Sequence, residues 1–240
     1  MKLFDIPSNW QWSKVNRLGS KQRPAVKAGP FGSSLKKEFY VSSGYRIYGQ
    51  EQVIGNDLSI GNYYVDERRF KSLKSCEVKT GDILVSLVGT FGKILVVPEV
   101  FEPGIINPRL VRLSLDSQKI DPHFFSYFFQ SPLVKSQLEL QSHGGTMGIL
   151  NAKNVSDLDV PLPPLEEQKR IAAILDKAEG LVNKSKFSGI QFLKPPLSKQ
   201  IEFREKFLKF IDINKSLTAS LTESENLFNS LLQRAFRGEL

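Results

Sequence analysis

One cysteine, two histidines and two methionines in 240 residues each close off a class of function. Cys76 stands alone, so an intrachain disulfide is impossible and a zinc site built from several thiolates is excluded. His123 and His143 are the only imidazoles, too few for a catalytic metal cluster and without a motif that would place either in a Ser-His-Asp or Cys-His arrangement. No apolar run approaches the roughly 20 residues needed to cross a bilayer, and no signal-peptide core stands near the first residue. The reading is a cytoplasmic chain with no membrane contact, no metal site and no cofactor.

Segments that approach known catalytic motifs fail on spacing. Gly89-Thr-Phe-Gly-Lys93 has a glycine-lysine turn, but a P-loop needs four residues between its glycines and a Ser or Thr after the lysine, where Ile94 stands here. Asn107-Pro108-Arg109-Leu110 lacks the second proline and the aromatic residue of an amino-methyltransferase motif. Glu167-Gln168-Lys169 has a nuclease-like carboxylate and lysine, yet it falls at a helix start, where negative charge suits the helix dipole. The chain reads as non-catalytic.

What is present is positive charge, unevenly placed. The net charge is +8. Between residues 1 and 37, Lys2, Lys14, Arg17, Lys21, Arg23, Lys27, Lys36 and Lys37 face the single acid Asp5. That stretch would attract a phosphate backbone.

The first 160 residues read as strands separated by glycine-rich turns. Strands are expected at residues 45–48, 62–65, 83–87, 94–97 and 110–115, each bounded by Gly, Pro, Asn or Asp. Residues 122–140 read as helix restarted at Pro132, with Phe124, Phe125, Phe128 and Phe129 in the core. Pro161, Pro163 and Pro164 are expected to close this fold, and Leu165, Ile171, Leu175, Ala178 and Val182 then recur at helical spacing. The opening Pro163-Pro164-Leu165-Glu166-Glu167-Gln168 returns as Pro195-Pro196-Leu197-Ser198-Lys199-Gln200. Two helices are therefore expected, at about 165–186 and 197–237. In the second a heptad frame places Phe207, Asn214, Leu221, Phe228 and Ala235 in one position and Phe210, Leu217, Ser224 and Leu231 in the other. The expected fold is α+β: a mixed, strand-rich lobe over residues 1–160, then a coiled-coil helical region over residues 161–240. Such a stripe needs a second helix, from this chain or another, and Leu175, Phe207, Phe210, Asn214, Leu217, Leu221, Phe228 and Leu231 are its candidate interface.

With these residues in view, the chain resembles the DNA-specificity subunits of type I restriction-modification systems. The likeness is carried by Pro7-Ser-Asn-Trp10, Gly29-Pro-Phe-Gly-Ser-Ser34, Gly81-Asp-Ile-Leu-Val-Ser86, Gly89-Thr-Phe-Gly-Lys93, Leu150-Asn151, Pro161-Leu-Pro-Pro-Leu-Glu-Glu-Gln168 and Leu231-Leu-Gln-Arg-Ala-Phe-Arg-Gly-Glu-Leu240. Family members carry two target-recognition domains and two spacer helices, whereas here only one recognition domain precedes the two helix openings. The resemblance implies a shortened form that reads double-stranded DNA, forms a homodimer to recognise a bipartite target, and docks methyltransferase (modification) subunits and a restriction subunit. The competing reading is a truncated relic or helical scaffold with no sequence-specific DNA binding.

DNA reading needs cations for phosphates and side-chain donors or acceptors for base edges. Lys21, Arg23, Lys27, Lys36 and Lys37 suit the first task. Ser33, Ser34, Arg46, Tyr48 and Gln50 lie in or beside glycine-rich turns and suit the second. A further candidate surface combines Thr90, Lys93, Asn107 and Arg109 with His143, Thr146 and Lys153, because polar loop tips on a rigid domain are where recognition commonly sits.

Overall fold

A computed structural model describes residues 6–87, 93–141, 150–187 and 223–239. Strands β1 (Gln11–Lys14), β2 (Val26–Ala28), β3 (Tyr40–Val41) and β4 (Tyr45–Tyr48) lead into a short helix, α1 (Gln50–Gly55). Next come β5 (Tyr64–Val65), α2 (Glu67–Ser72), β6 (Ile83–Ser86), β7 (Ile94–Val96), β8 (Gly104–Ile106) and β9 (Leu110–Leu113). Helices α3 (Pro122–Gln130), α4 (Pro132–Gln141) and α5 (Ala152–Ser156) precede β10 (Asp159–Leu162) and the long helix α6 (Leu165–Phe187). Residues 223–237 form a further helix. The fold is α+β, as the sequence implies.

A four-stranded antiparallel sheet, in the order β2-β9-β6-β7, divides the interior. Successive strand residues point to opposite faces, and β6 is apolar on both. Ile83 and Val85 join Ile94, Val111 and Leu113 in one core, while Leu84 joins Leu95 and Leu110 in a second. The second core is closed by a mixed sheet ordered β3-β5-β4-β8, in which β4 and β8 run parallel. Between the two sheets Asp82, 3% exposed, accepts from Arg23 Nη1 at 3.0 and 2.9 Å, from Ser114 Oγ at 2.6 Å and from the Lys79 amide at 2.7 Å. Arg112 donates to the carbonyls of Ser75 and Glu77 beside it. Burial, followed by repulsion from Arg23, lowers the Arg112 pKa.

The first core is roofed by helices. Asp121 caps α3 by accepting the Phe124 amide at 2.9 Å, with Pro122 at the first helical position. Phe124, Phe125, Phe128 and Phe129 are fully buried, as their spacing predicts, and Ser131 separates α3 from α4 at the expected proline break. Gln168 ties α6 to this corner. Its carbonyl oxygen accepts the Asp121 amide at 2.8 Å, and its Nε2 donates to Lys119 and Pro163 carbonyls at 3.0 and 2.9 Å.

Three sequence expectations change. Pro161 does not simply end the fold: it lies inside β10 and pairs with Trp12 of β1 in a two-stranded sheet. A proline's missing N–H is tolerated there because β10 has only one hydrogen-bonded neighbour. The expected strands all occur, but β1, β2, β3, β8 and β10 and the short helices α1, α2 and α5 occur besides them. The end of the heptad frame also shifts. Ala235 is buried and Phe228 and Leu231 are half-buried against the first core, and Leu232 and Phe236, which lie off the frame, are buried there too. Apolar residues at 228, 231, 232, 235 and 236 follow the wider stripe of a helix docked on a globular core, not a two-position coiled-coil seam. Phe207, Phe210, Asn214, Leu217 and Leu221 lie outside the described residues, as does the second Pro-Pro-Leu opening.

Candidate nucleic-acid interface

Several chain segments converge where β2 leaves its sheet and β9 begins. The Gly29 amide donates to the Leu110 carbonyl at 2.9 Å, the Leu87 amide to Arg109 at 3.0 Å, and the Ser86 amide to Lys93 at 3.1 Å. The Asn107 amide donates to the Tyr48 carbonyl at 2.8 Å, bringing the end of β4 to the same place. Contact here is so close that a Cβ on Gly29 would stand 1.8 Å from the Asn107 carbonyl oxygen, so only glycine fits without a shift of backbone. Asn107 Oδ1 accepts the Arg109 amide at 2.8 Å, the Asx turn that fixes the 107–109 tip.

These segments enclose an open cleft of about 500 Å³ whose wall includes Lys37, Tyr40, Gln50, Glu51, Tyr63, Asn107 and Arg109. Of the residues named from the sequence, Lys37 and Gln50 of the first surface and Asn107 and Arg109 of the second line this cleft together. Lys37 and Arg109 are exposed and make no ion pair with any described carboxylate, while Gln50 Oε1 is buried without a hydrogen-bond partner. Tyr40 and Tyr63 approach with ring centroids 5.6 Å apart, and burial, with the nearby Tyr63 and Glu51 adding to it, raises the Tyr40 pKa. The arrangement offers cations, an amide and two aromatic faces in one concave surface. Such groups suit phosphate contact and base-edge readout; nothing in it supplies a nucleophile with a base.

The remaining site candidates divide by burial. Lys21, Ser33, Lys36, Lys93 and Lys153 are exposed, and Lys27 and Ser34 are half-buried. Lys36 lies 3.6 Å from Glu38. Arg23, Arg46 and Tyr48 require correction, because each is committed inside the protein. Arg23 is spent on Asp82 and on the Glu77 carbonyl. Arg46, 3% exposed, donates to the Ser59 and Ile60 carbonyls at 2.6 and 3.1 Å and also to Gly61, Tyr64 and Glu102. It shapes the loop leading to Tyr63 and is not free to read a base. Tyr48, fully buried, donates to the Glu102 carbonyl at 2.5 Å, and burial pushes its pKa up to about 12. Thr90, His143 and Thr146 lie outside the described residues.

Sequence reasoning missed Tyr40, Tyr63 and Glu51 as cleft residues, and no local pattern marks them. It also missed Arg69, whose guanidinium lies 3.6 Å from the centre of the Phe39 ring and donates to the Ser34 carbonyl at 3.5 Å. Among the described residues there is no group of three potential metal ligands, and no helix is long and apolar enough to cross a membrane.

The fold is a mixed-sheet lobe with a polar cleft and a helical side. Residues 31–186 match the type I restriction modification DNA specificity domain, and the chain belongs to that family. It is similar to the EcoBI specificity subunit of Escherichia coli, with 25% identity covering 98% of this chain and 43% of that protein. It is also similar to the MjaVIII specificity subunit of Methanocaldococcus jannaschii, 31% identical over 75% of this chain and 42% of that protein. The chain therefore spans less than half the length of these relatives. Its fold resembles the crystal structure of the HsdS subunit from Thermoanaerobacter tengcongensis, with a TM-score of 0.56 at 20% identity, covering all of this chain and 48% of that one. A second such likeness, at a TM-score of 0.52, is to a structure concerned with complex assembly and conformational transition of the type I restriction-modification system.

Proposed function

We propose that this chain is a DNA-reading specificity subunit whose 1–160 lobe recognises one half of a bipartite target, and whose 161–240 region holds a second copy at a fixed distance. The observation that carries this reading is the meeting of Lys37, Gln50, Asn107 and Arg109, from three separate segments of the chain, in the wall of one cleft. Lys37 and Arg109 in the cleft, with Lys36 beside Lys37, would supply phosphate contacts, and the Asn107 side-chain amide would be the candidate reader of a base edge. Affinity in this arrangement is mainly electrostatic and falls steeply with salt, while each correct bidentate base contact is worth about 1 to 3 kcal/mol. The partners are duplex DNA, a second copy of the chain, and methyltransferase and restriction subunits that act where this subunit binds, in the cytoplasm.

The deciding experiment is selection of bound duplexes from a random pool, with and without the methyltransferase subunits. Enrichment of two half-sites at constant spacing is expected. Recovery of no motif in either condition would overturn the reading in favour of a scaffold. Sedimentation or sizing in solution tests the dimer, and replacement of Leu217 and Leu221 by charged residues is expected to give monomers.

A further inference from the structure

On the reading that the cleft binds duplex DNA, we propose that Phe31 is a wedge that enters the stack between adjacent base pairs beside the cleft. The residue is 87% exposed, far more than the other described phenylalanines of the lobe. A single exposed apolar residue is ordinary; the way this one is held is not. On its N-terminal side Pro30 is buried, and Gly29 is fixed by its hydrogen bond to Leu110 and its close contact with the Asn107 carbonyl. On its C-terminal side the Ser34 amide donates to the Phe31 carbonyl at 2.8 Å, and Leu35 is anchored in the second core at 5% exposure. Arg69 holds the Ser34 carbonyl while lying over the Phe39 ring. These contacts fix the backbone on both sides of Phe31 and so hold the turn that carries its exposed side chain.

The charge around the turn selects the occupant. Exposed Lys36 and Lys37 follow the turn, and Gly29, two residues before Phe31, touches the Asn107 carbonyl of the tip that carries exposed Arg109, so a polyanion held by these cations would pass along the turn that carries the ring. Base pairs are the apolar surface of a duplex. An inserted apolar side chain costs a few kcal/mol of unstacking and is repaid by the additional contacts that a bent duplex makes.

Duplexes of the selected sequence carrying 2-aminopurine at successive positions provide the test, because that base brightens when unstacked. The wild-type chain is expected to brighten the probe several-fold at one step. Phe31→Ala is expected to abolish the rise and to weaken binding about tenfold without altering the slope of log K against log salt, whereas Phe31→Leu restores the rise. Lys36→Ala with Lys37→Ala should lower the salt slope and leave the rise in place. Wild-type binding with no bright step, or a rise that survives in Phe31→Ala, overturns the wedge alone. Loss of methyltransferase-subunit binding in Phe31→Ala with DNA contacts unchanged overturns it in favour of a protein contact. Absence of any sequence preference in the wild type overturns the functional reading and the wedge with it.

Discussion

The rings of Phe124 and Phe236 meet edge to face with centroids 5.2 Å apart, joining α3 to the 223–237 helix inside one core. Phe128 meets the same Phe236 ring at 5.5 Å. Phe236→Ala should therefore cost about 3–5 kcal/mol of stability. Urea unfolding would measure it, and a loss below about 1 kcal/mol would mean that this helix contributes little to the fold.

Gln168 makes a narrower prediction. Its amide satisfies three backbone groups at the junction of α3 and α6, so Gln168→Leu preserves bulk but orphans the Asp121 amide and two carbonyls. The expected cost is about 2–4 kcal/mol, since each buried polar group left unpaired loses its full solvation. Denaturant midpoints against those of Gln168→Glu, which keeps the acceptor but loses the donor, would separate the two halves of the clamp.

Cations in the cleft and cations in the core should respond differently to removal. Lys37→Ala and Arg109→Ala should each reduce the salt slope of DNA binding by about 0.9 while leaving unfolding unchanged. Arg46→Ala should do the reverse, destabilising the lobe by about 3 kcal/mol because the 59–61 carbonyls lose their donor. A normal melting curve for Arg46→Ala would refute the assignment of that side chain to structure.

Stability should decline at alkaline pH by a defined route. Tyr48 is pushed up to about 12 by burial, against about 10 for a free tyrosine. The unfolded chain gives up this proton first, so the contribution is complete below pH 10 and is lost as pH rises to about 12, roughly 2 kcal/mol in all. Tyr127 is raised in the same direction, by burial first and then by its hydrogen bond to Asp176 at 2.7 Å. Unfolding midpoints between pH 9 and 12 should fall less steeply in Tyr48→Phe than in the wild type.

The sequence disclosed what rests on local pattern. The apolar run at 83–85, the proline break at 132 and the helix beginning at Leu165 follow from propensity and periodicity alone. It concealed β8 and β10, because Gly104 and Pro161 argue against strands and only a particular neighbour makes each acceptable. The site was half visible for the same reason. Positive charge in residues 1–37 can be counted, but whether a cation faces solvent depends on where an acid or a carbonyl lies in three dimensions. Asp82 removes Arg23 from the surface, and the 59–61 loop removes Arg46, across sequence separations that carry no pattern.

Strand β1 pairs with β10, and the core that holds Trp10 also holds Leu232 and Phe236. These are contacts of high order, and closing such long loops must precede their reward. During synthesis the phenylalanines of α3 therefore wait uncovered until residues 232–236 have left the ribosome, so production of this subunit is exposed to misassembly in a way that a helical bundle of equal size is not.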